Sequence, residues 1–415
     1  MATVEKLHYD DLEIRRTDQR EAEQFALLPD LVSAAKDKAP GWAQHLDGID
    51  PEDVTSRSAL CQLPVLRKSD LLTLQSKCPP LGGLTTAAPG SLKRLFMSPG
   101  PIFDPEGKGA DWWRVARALF AAGMRSGDVV HNSFAYHLTP AGHMFESGAH
   151  TLGCAVIPAG TGDTMMQVEA IACLKPSAYV GTPDFLKTLL DKGEAAGKDM
   201  SSITRACVSG AALPQSLRSG LKSQGVDVLQ CYGTADLGII AYETSVMEGM
   251  VVDEGVIVEI VTPGTGDCVA EGDVGEIVVT SFNRDYPMIR FATGDMSAVL
   301  AGTSPCGRTN MRIKGWMGRA DQTTKVKGMF VHPGQVADVA KAHDELGRVR
   351  LVVGRENDRD IMVLHAESEN VSAGFAETVA GSVQKFCKLR AVVKLVAPNS
   401  LPNDGLIIAD ERSYN

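Results

Sequence analysis

The sequence predicts an α/β protein, with helix-covered, mainly parallel sheets and a small β subdomain in a large amino-terminal domain, followed by a small, mobile α+β domain. Apolar strand-like runs alternate with amphipathic helical segments between residues 128 and 208, which is typical of a parallel sheet with helices on both faces. Strand-like runs without helices follow residue 232, and residues 349–396 show the order strand, strand, helix, strand. We place the two domains at residues 1–320 and 322–415.

Apolar periodicity defines the elements of the first domain. Residues 1 to about 80 are mainly helical and polar in pattern, so we expect a peripheral layer there. The strand-like runs are 128–132, 154–157, 178–180, 203–208 and 226–230. The helical segments that precede or separate them are 111–123, 165–174 and 184–192.

The pattern changes in the rest of the chain. Two strand-like runs, Val256–Val261 and Gly275–Thr280, are joined by a loop rich in Gly, Asp and Pro, which predicts a small antiparallel β subdomain. Residues 371–385 then predict a helix, because apolar side chains recur there at helical spacing. That stripe consists of Phe375, Val379, Val383 and Phe386.

Composition excludes several classes of protein. The chain has 415 residues, 44% of them hydrophobic and 22% charged, which is the balance of a globular protein. The net charge of -10 disfavours binding to a nucleic-acid backbone. No run approaches the roughly 18 apolar residues of a membrane span, so we expect no membrane insertion and a cytoplasmic location.

The cysteines do not suggest a metal or redox centre. There are nine of them, scattered along the chain, with no CxxC pair. Most lie in apolar runs such as residues 152–156. We therefore expect reduced thiols in the core.

Two segments that follow predicted strands carry ligand-binding chemistry. Ser209–Pro214 opens a helix with small residues that let the backbone approach a flat ligand, although an ordinary turn has the same pattern. Tyr232, Thr234 and Asp236 come after the next strand, at the sheet edge where ligands of α/β proteins bind. There an aromatic ring can stack on a base, a hydroxyl can bind a phosphate and a carboxylate can hold Mg²⁺. A polar turn is the alternative.

Two later segments complete the set. Arg290–Asp295 predicts a tight turn whose carboxylate accepts hydrogen bonds from a ribose diol, although such turns are also common without a ligand. Gly318–Gly328 has glycines at both ends and charges between them, at the predicted domain boundary. That composition is what a hinge needs.

In this order and position the four segments resemble the acyl-adenylate-forming superfamily, and most closely the phenylacetate-CoA ligase family with its coenzyme F390 synthetase-like relatives. The stretches 63–70, 122–132 and 152–158 are also similar to segments of that family. The resemblance implies that ATP and a carboxylic acid, favoured to be aromatic, form an adenylate. The small domain then rotates and the CoA thiol attacks the acyl carbon. ATP or AMP, Mg²⁺ and CoA are the implied ligands, and a homodimer is the implied assembly.

The resemblance also implies roles for individual residues. The implied nucleotide-binding residues are Gly210, Ala211 and Ala212 beside adenine, Tyr232 stacked on the adenine ring, and Gly233 and Thr234 near the α-phosphate. Asp295 would bind the ribose hydroxyls, and Arg319 would assist Asp295. A purine nucleoside would then lie between Tyr232 and Asp295. The remaining implied residues are Phe134, Ala135, Tyr136 and His137 at the acid, Asp236 at Mg²⁺ and Asp321 as the hinge.

Three departures from the family pattern concern catalysis. Phe96–Gly107 stands where the family has a Ser/Thr/Gly-rich loop that wraps the β- and γ-phosphates. It contains three prolines, which lack amide donors, and Asp104 and Glu106 add negative charge. Asp236 replaces the family's magnesium-binding Glu, behind Ala235 instead of a hydroxyl residue. We therefore expect pyrophosphate to be held poorly.

The third departure is the absence of the family's C-terminal catalytic lysine. Leu406 occupies its position and no lysine follows Lys394. Losing one preorganised charge-stabilising group costs about 2.7–4 kcal/mol, so adenylation should be slow unless Lys325 or Lys108 substitutes. Two functions remain open: a ligase with impaired adenylation, and a non-catalytic protein that binds an acyl-CoA, an acyl-adenylate or an aromatic acid.

Overall fold

The structure is a computed structural model that describes residues 6–98, 100–211, 213–317, 319–320, 322, 324–331, 333–356, 359–402 and 406–412. The chain forms two compact units, residues 1–317 and 318–415. The predicted α/β class is confirmed. No described helix has the length and apolar character that a membrane crossing requires.

Unit 1 contains ten α-helices and fourteen strands within its described residues. Its helices are α1 (Thr17–Ala26), α2 (Leu28–Lys38), α3 (Pro40–His45), α4 (Arg57–Leu60), α5 (Leu71–Lys77), α6 (Val115–Ala121), α7 (Ala141–Thr151), α8 (Thr164–Leu174), α9 (Pro183–Ala195) and α10 (Gln215–Ser223). Its strands are β1 (Leu66–Arg67), β2 (Arg94–Ser98), β3 (Ile102–Glu106), β4 (Val129–Asn132), β5 (Ala155–Pro158), β6 (Ala178–Gly181), β7 (Arg205–Val208), β8 (Asp227–Thr234), β9 (Gly238–Tyr242), β10 (Met250–Val252), β11 (Val256–Val261), β12 (Val274–Ser281), β13 (Met288–Leu300) and β14 (Arg312–Ile313).

One hydrogen-bonded sheet runs through most of unit 1. Its strand order is β11-β12-β13-β14-β10-β9-β8-β7-β6-β4-β5, and β1 pairs with β13. The strands β5, β4, β6, β7 and β8 are parallel, and from β8 onward the pairing is antiparallel. The predicted β subdomain is therefore continuous with the main sheet, because β13 pairs with β12 over residues 288–298 and with β14 at residues 299 and 300.

Helices cover both faces of the parallel strands. Successive side chains of a strand point to opposite faces, so one strand serves two cores. Tyr179 packs in a cluster with side chains of α8, α9 and α10, whereas Val180 packs with side chains of α6 and α7. Both residues are fully buried, which explains why these strands are apolar at every position.

The amino-terminal helices form a layer on the antiparallel part of the sheet. Leu28, Trp42 and Leu71 from this layer share one core cluster with Ile257 and Phe291 of the sheet. Strand β1 enters the sheet from the layer and pairs in parallel with residues 291 and 292 of β13. The residue that follows β1, Lys68, is thereby brought to the sheet.

A buried guanidinium joins three parts of unit 1. Arg290 of β13 forms an ion pair with Glu259 of β11, with 3.1 Å between Nε and Oε2. Its Nη1 donates to the carbonyl oxygens of Cys61 and Leu63 at 2.7 and 2.6 Å, and Nη2 donates to that of Gly266 at 2.7 Å. The charge is paired and its donors are used, which is the condition for burying an arginine.

Unit 2 is an α+β unit with its own core. It contains β15 (Thr324–Val326), β16 (Met329–Val331), α11 (Pro333–Lys341), β17 (Val349–Glu356), β18 (Arg359–Glu367), α12 (Ala373–Cys387), β19 (Val392–Val396) and β20 (Ile408–Asp410). The strand order of its larger sheet is β19-β18-β17-β20. Val379 and Val383 of α12 are buried against this sheet, as the predicted stripe requires. Asp321, the predicted hinge, lies outside the described residues.

Close packing of α6 against α7 can be tested at a helical glycine. A Cβ atom at Gly148 would lie 2.6 Å from the Cβ of Val115, so we expect Gly148→Ala to lower the free energy of unfolding by about 1–3 kcal/mol. Gly220 of α10 has no atom within 4 Å of such a Cβ. There Gly220→Ala should raise stability by about 0.5–1 kcal/mol through helix propensity. Urea denaturation of both variants measures the contrast, and equal effects would contradict the packing.

Candidate functional site

Tyr232 and Asp295, which the sequence analysis assigned to one nucleoside, lie together. The Tyr232 hydroxyl donates to Oδ2 of Asp295 at 2.8 Å and also contacts Oγ1 of Thr293 at 3.2 Å. The indole Nε1 of Trp316 donates to Oδ1 of Asp295 at 3.0 Å. Both oxygens of the carboxylate therefore accept hydrogen bonds from protein, and Tyr232 and Asp295 are only 8% and 7% exposed.

Asp295 does not lie in the tight turn that the sequence analysis predicted. It is in the middle of β13, where residues 292 to 296 face only residues 278 to 276 of β12. The surplus residues form a bulge, and Gly294 has a φ of +76°, which is the left-handed region that glycine tolerates. The Thr293 hydroxyl accepts a hydrogen bond from the amide of Asp295 at 3.1 Å. The bulge redirects the carboxylate toward Tyr232.

The predicted adenine-side residues lie at the carboxyl ends of β7 and β8. Gly210 has a φ of +74°, and the carbonyl of Ala211 accepts from Gln230 at 3.3 Å. A Cβ at Gly233 would lie 2.5 Å from the carbonyl oxygen of Gly238, so the β8–β9 hairpin itself requires that glycine. Ala212 lies outside the described residues.

Two further predicted residues, Thr234 and Asp236, lie at the end of β8 and just after it. Thr234 Oγ1 accepts from the amide of Leu237 at 3.2 Å. Asp236 is buried, and its Oδ2 accepts from the ammonium of Lys68 at 2.6 Å. The Lys68 side chain remains about a quarter exposed. Burial acts to lower the pKa of Lys68, but Asp236, Asp104 and Asp295 together raise it above its ordinary value, so the ammonium stays charged.

Asp104 of β3 belongs to the same group of charges. Its side chain is fully buried beside Ser98 and the Asp236 carboxylate. Burial and the neighbouring Asp236 carboxylate raise the pKa of Asp104 well above its ordinary value, and Lys68 offsets this only in part. Burial therefore favours the protonated form of Asp104, and the Lys68 ammonium pairs with the carboxylate of Asp236.

An unsatisfied polar atom marks this group as a polar site. The hydroxyl of Tyr286 is buried without a hydrogen-bond partner in the described structure. Buried polar atoms of this kind are normally satisfied by water or a ligand. Mg²⁺ bound to Asp236 does not fit the arrangement, because the Lys68 ammonium already contacts that carboxylate.

The segment in the position of the phosphate loop is an antiparallel β-hairpin. Strands β2 and β3 pair along their whole length, from Arg94 with Glu106 to Ser98 with Ile102. Only residues 99–101 connect them, and Pro99 and Pro101 have no amide hydrogen. A tip of this length and composition offers a single amide donor, that of Gly100, to a phosphate.

The backbone amides of Met97 and Phe103, on the outer sides of the hairpin, already donate hydrogen bonds to other parts of the protein. The amide of Met97 donates to the carbonyl of Leu138 at 2.8 Å. The amide of Phe103 donates to Oε1 of Gln75 at 2.9 Å, and the Gln75 amide group returns a 2.7 Å bond to the Phe103 carbonyl. The hairpin is therefore closed by protein contacts on both sides.

The negative charge of the hairpin is smaller than the sequence analysis assumed. Glu106 is buried and forms ion pairs with Lys93 and Arg94 at 2.9 and 2.8 Å. Burial and the neighbouring Asp236 carboxylate raise the pKa of Asp104, which favours its uncharged form. Repulsion of phosphate by these two residues is therefore weak, and the shortage of amide donors is the stronger obstacle to pyrophosphate binding.

The predicted acid-binding loop follows β4. The Tyr136 hydroxyl accepts from Asn132 and donates to Glu146, both at 2.8 Å, and burial and Glu146 raise its pKa. The Phe134 ring stacks on Phe145 with 4.5 Å between centroids. Tyr136 and Phe134 are thus rigid elements of the loop, whereas Ala135 is half-buried.

The two histidines of this region differ. His137 is exposed, whereas His143 packs edge-on against Tyr136 and beside Phe96 of the hairpin. Burial and the neighbouring Arg94 lower the pKa of His143, so it is neutral at pH 7. This is the environment of a packed, uncharged histidine.

Three residues of unit 2 carry sequence predictions: Arg319, Lys325 and Leu406. Lys325 lies on β15, paired with residue 330, and Arg412 donates to its carbonyl at 2.8 Å. Arg319 is half-buried. Leu406 is 43% exposed, and its carbonyl accepts from Arg350 at 3.1 Å. The residue that the resemblance aligns with the family's lysine therefore has a partly exposed aliphatic side chain.

Two site residues were missed by the sequence analysis. The sequence analysis included Lys68 only within the family-like stretch 63–70 and gave it no role, although a lysine directly after a strand is a recognisable signal. Trp316 had no signal, because its contact with Asp295 depends on how the chain returns to the sheet after β14. A surface cleft of about 320 Å³, lined by Asp111, Trp112 and Arg284 among others, includes none of the predicted site residues.

Comparisons with known proteins agree with this fold and residue pattern. The family model described as AMP-binding enzyme matches residues 112–283. The chain is similar to the phenylacetate-coenzyme A ligase of Pseudomonas putida, with 28% identity over 401 residues, 91% of this chain and 90% of the relative. It is also 28% identical to the Escherichia coli K12 protein of the same name, over 90% of this chain and 87% of the relative.

A solved structure extends the comparison to the fold. The 2-hydroxyisobutyryl-CoA ligase in complex with 2-HIB-AMP and CoA superimposes with a TM-score of 0.83 and 24% identity, covering 100% of this chain and 94% of the other. The AMP-binding match and the named relatives support an adenylate-forming, AMP-binding class of protein, and the solved neighbour shares its fold. Within that class, the similarity to phenylacetate-CoA ligases over most of the chain supports the phenylacetate-CoA ligase-like family.

The protonation of Asp104 predicts a specific pH dependence of stability. Above its ordinary pKa of 3.8 the carboxyl ionises in the unfolded chain but keeps its proton in the folded one, so unfolding releases a proton. Stability should then fall with rising pH by up to about 1.4 kcal/mol per unit, until the folded pKa is passed. Asp104→Asn lacks this titration, so its stability relative to the natural protein should increase from pH 4 upward.

Urea unfolding between pH 4 and 8 measures this effect. Asp47→Asn, at an exposed carboxylate, is the control and should leave the pH dependence unchanged. Parallel stability curves for Asp104→Asn and the natural protein would show that Asp104 is ionised in the fold.

Proposed function

We propose that the protein is an acyl- or aryl-CoA ligase-like protein that binds an adenine nucleotide, a small carboxylic acid and CoA, and whose formation of an adenylate from ATP is impaired. One observation carries this proposal. The segment in the position of the triphosphate loop is a hairpin with a three-residue tip, and its outward amides of Met97 and Phe103 are already bonded to protein.

The relatives support the general activity. Two of them are named phenylacetate-coenzyme A ligase and match at least 87% of their own length, which favours an aromatic acid and CoA as ligands of this chain. The structural neighbour holds an acyl-AMP ester and CoA. An AMP ester has no β- and γ-phosphates, so it does not need the donors that the hairpin lacks.

The nucleoside part of the site favours binding of AMP or an acyl-adenylate. A carboxylate accepts up to about four hydrogen bonds, so the donors from Tyr232 and Trp316 do not by themselves fill Asp295. A ribose would bind at the outer side of this pair. The base would lie against the exposed part of the Tyr232 ring and not in a gap between Tyr232 and Asp295, because a 2.8 Å hydrogen bond closes that gap.

Two features account for impaired adenylation. Only the hairpin tip has a backbone amide left to donate to the β- and γ-phosphates. In addition, Leu406 stands at the position that the resemblance assigns to a catalytic lysine. Each such loss costs about 2.7–4 kcal/mol, or a factor of about 10² to 10³ in rate. The thioester-forming half-reaction uses neither pyrophosphate nor its leaving-group stabilisation, so it is expected to be less affected.

A non-catalytic binding protein on the same scaffold is the second candidate function. The engagement of Asp295 by two protein donors favours it, because a carboxylate that already accepts a hydrogen bond at each oxygen in the free protein gains less from a ribose. Such a protein would bind an acyl-CoA, an acyl-adenylate or an aromatic acid without forming a bond. Homodimerisation and the cytoplasmic location remain predictions.

Separate assays of the half-reactions test the proposal. With ATP, Mg²⁺ and a panel of aromatic acids, we expect pyrophosphate release at least 10²-fold slower than by the Escherichia coli relative. With a synthetic acyl-adenylate of the same acid and CoA, we expect thioester formation within about tenfold of that relative. Normal pyrophosphate release would refute the impairment, and the absence of both reactions together with tight acyl-adenylate binding would establish the second candidate.

Substitutions at Leu406 and Lys325 test the role of a lysine ammonium in pyrophosphate release. Leu406→Lys restores an ammonium at the family position and should raise pyrophosphate release by tenfold or more. Leu406→Met is the matched control without charge. Lys325→Ala should lower any residual release if Lys325 supplies the missing charge, and an unchanged rate would remove Lys325 from that role.

Asp295→Asn tests nucleoside binding directly. Hydrogen bonds to a charged acceptor contribute about 1.5–3 kcal/mol, so the variant should bind AMP roughly 10- to 150-fold more weakly by calorimetry. Asp267→Asn, at an exposed carboxylate on a hairpin loop, is the control and should bind AMP as the natural protein does. Equal affinities for all three proteins would exclude Asp295 from the nucleotide site.

A further inference from the structure

Two cysteines and a glutamate converge at the edge of the sheet in unit 1. Cys61 follows α4, Cys268 lies in the loop between β11 and β12, and Glu259 is on β11. The two sulfur atoms are 3.1 Å apart, and Oε1 of Glu259 lies 3.1 Å from Sγ of Cys61 and 3.6 Å from Sγ of Cys268. In the part of the chain that the structure describes, this is the group of three metal-ligating side chains whose donor atoms lie within 4.8 Å of one another.

This juxtaposition corrects the expectation that the cysteines are scattered core thiols. Four of the nine are buried, whereas Cys268 is exposed and Cys61 is intermediate. The two residues are 207 positions apart, so no spacing in the sequence indicates that they meet. Folding brings them together because β11 and the turn after α4 both pack around Arg290.

The donor set suits a thiophilic divalent cation. Tetrahedral Zn²⁺ with bonds of about 2.3 Å to sulfur and 2.0 Å to oxygen places two sulfurs about 3.8 Å apart and a sulfur and an oxygen about 3.5 Å apart. The observed separations of 3.1, 3.1 and 3.6 Å come within about 0.7 Å of these values. Rotation of the exposed Cys268 side chain is enough to open the sulfur pair.

The surroundings of Glu259 complete the argument. Its side chain is 1% exposed, and Oε2 is held by Arg290 while Oε1 faces the two sulfurs. A partner that orients the ligand and leaves one oxygen free is the usual second layer of a metal site. Two thiolates and a carboxylate carry three negative charges, which Arg290 and a divalent cation neutralise together.

We propose that Cys61, Cys268 and Glu259 bind a thiophilic divalent cation, with Zn²⁺ as the expected occupant and a water molecule as the fourth ligand on the exposed side. A disulfide between the two cysteines is the competing outcome. It is disfavoured because it would leave Oε1 of the buried Glu259 without its sulfur partners. The site is independent of the proposed ligase function, since none of its residues belongs to the predicted nucleotide or acid site.

The cation would connect the amino-terminal layer to the β11–β12 loop. Arg290 holds the carbonyls of Cys61 and Leu63, and the chain then continues into β1 and Lys68. A filled site should therefore stabilise unit 1 against unfolding, because binding to the native state alone shifts the equilibrium toward it.

Metal analysis of the full-length protein tests the proposal. The protein is purified under reducing conditions, equilibrated with ZnCl₂, dialysed and measured by inductively coupled plasma mass spectrometry. We expect about one zinc per chain, a raised melting temperature and, after replacement by Co²⁺, the absorption of tetrahedral cobalt with thiolate-to-metal charge transfer. Cys61→Ser/Cys268→Ser should lose the zinc, the charge-transfer band and the thermal shift.

Controls distinguish the possible outcomes. Cys173→Ser removes an exposed thiol elsewhere and should keep one zinc per chain. Cys268→Ser alone alters only the exposed ligand, so it tests the site even if the double variant folds poorly. The proposal would be overturned if Cys268→Ser and the double variant retain zinc, or if the natural protein binds none. It would also be overturned if a thiol titration of the metal-free, unreduced protein finds seven free thiols instead of nine.

Discussion

The ion pair between Arg290 and Glu259 is the contact on which the position of the candidate site depends. Arg290 sits on β13 five residues before Asp295, and its guanidinium ties the amino-terminal layer to the sheet through the carbonyls of Cys61 and Leu63. Strand β1 follows at once and delivers Lys68 to Asp236. Removing either charge would leave the other buried without a partner, which is far costlier than losing a surface ion pair.

The site that results is largely satisfied by its own residues. Tyr232 and Trp316 donate to Asp295, and Lys68 pairs with Asp236. The raised pKa of Asp104 disfavours a second buried negative charge. A site that handles a triphosphate needs unused donors and positive charge aimed at the phosphates. Here those groups face protein, so the scaffold of an adenylate-forming enzyme is retained with an internally balanced interior.

Much of the fold was predictable because its signals are local. The alternation of apolar strands and helices identified the parallel half of the sheet, and the stripe on α12 identified the core of unit 2. The family resemblance likewise rested on short segments in a fixed order. The bulge at Asp295 was missed because a Thr-Gly-Asp sequence has the same local preference in a turn and in a bulged strand, and only pairing with β12 separates the two.

The sequence by itself determined the fold class and carried the family resemblance, together with the departures from it at residues 96–107 and 406, because these follow from residue types at particular positions. The tertiary structure alone decided which charges meet. Lys68 and Asp236 are 168 residues apart, and Cys61 and Cys268 are 207 apart, so no local pattern encodes either contact. Their partners, burial and protonation depend on distances that exist only once the amino-terminal layer has packed on the sheet.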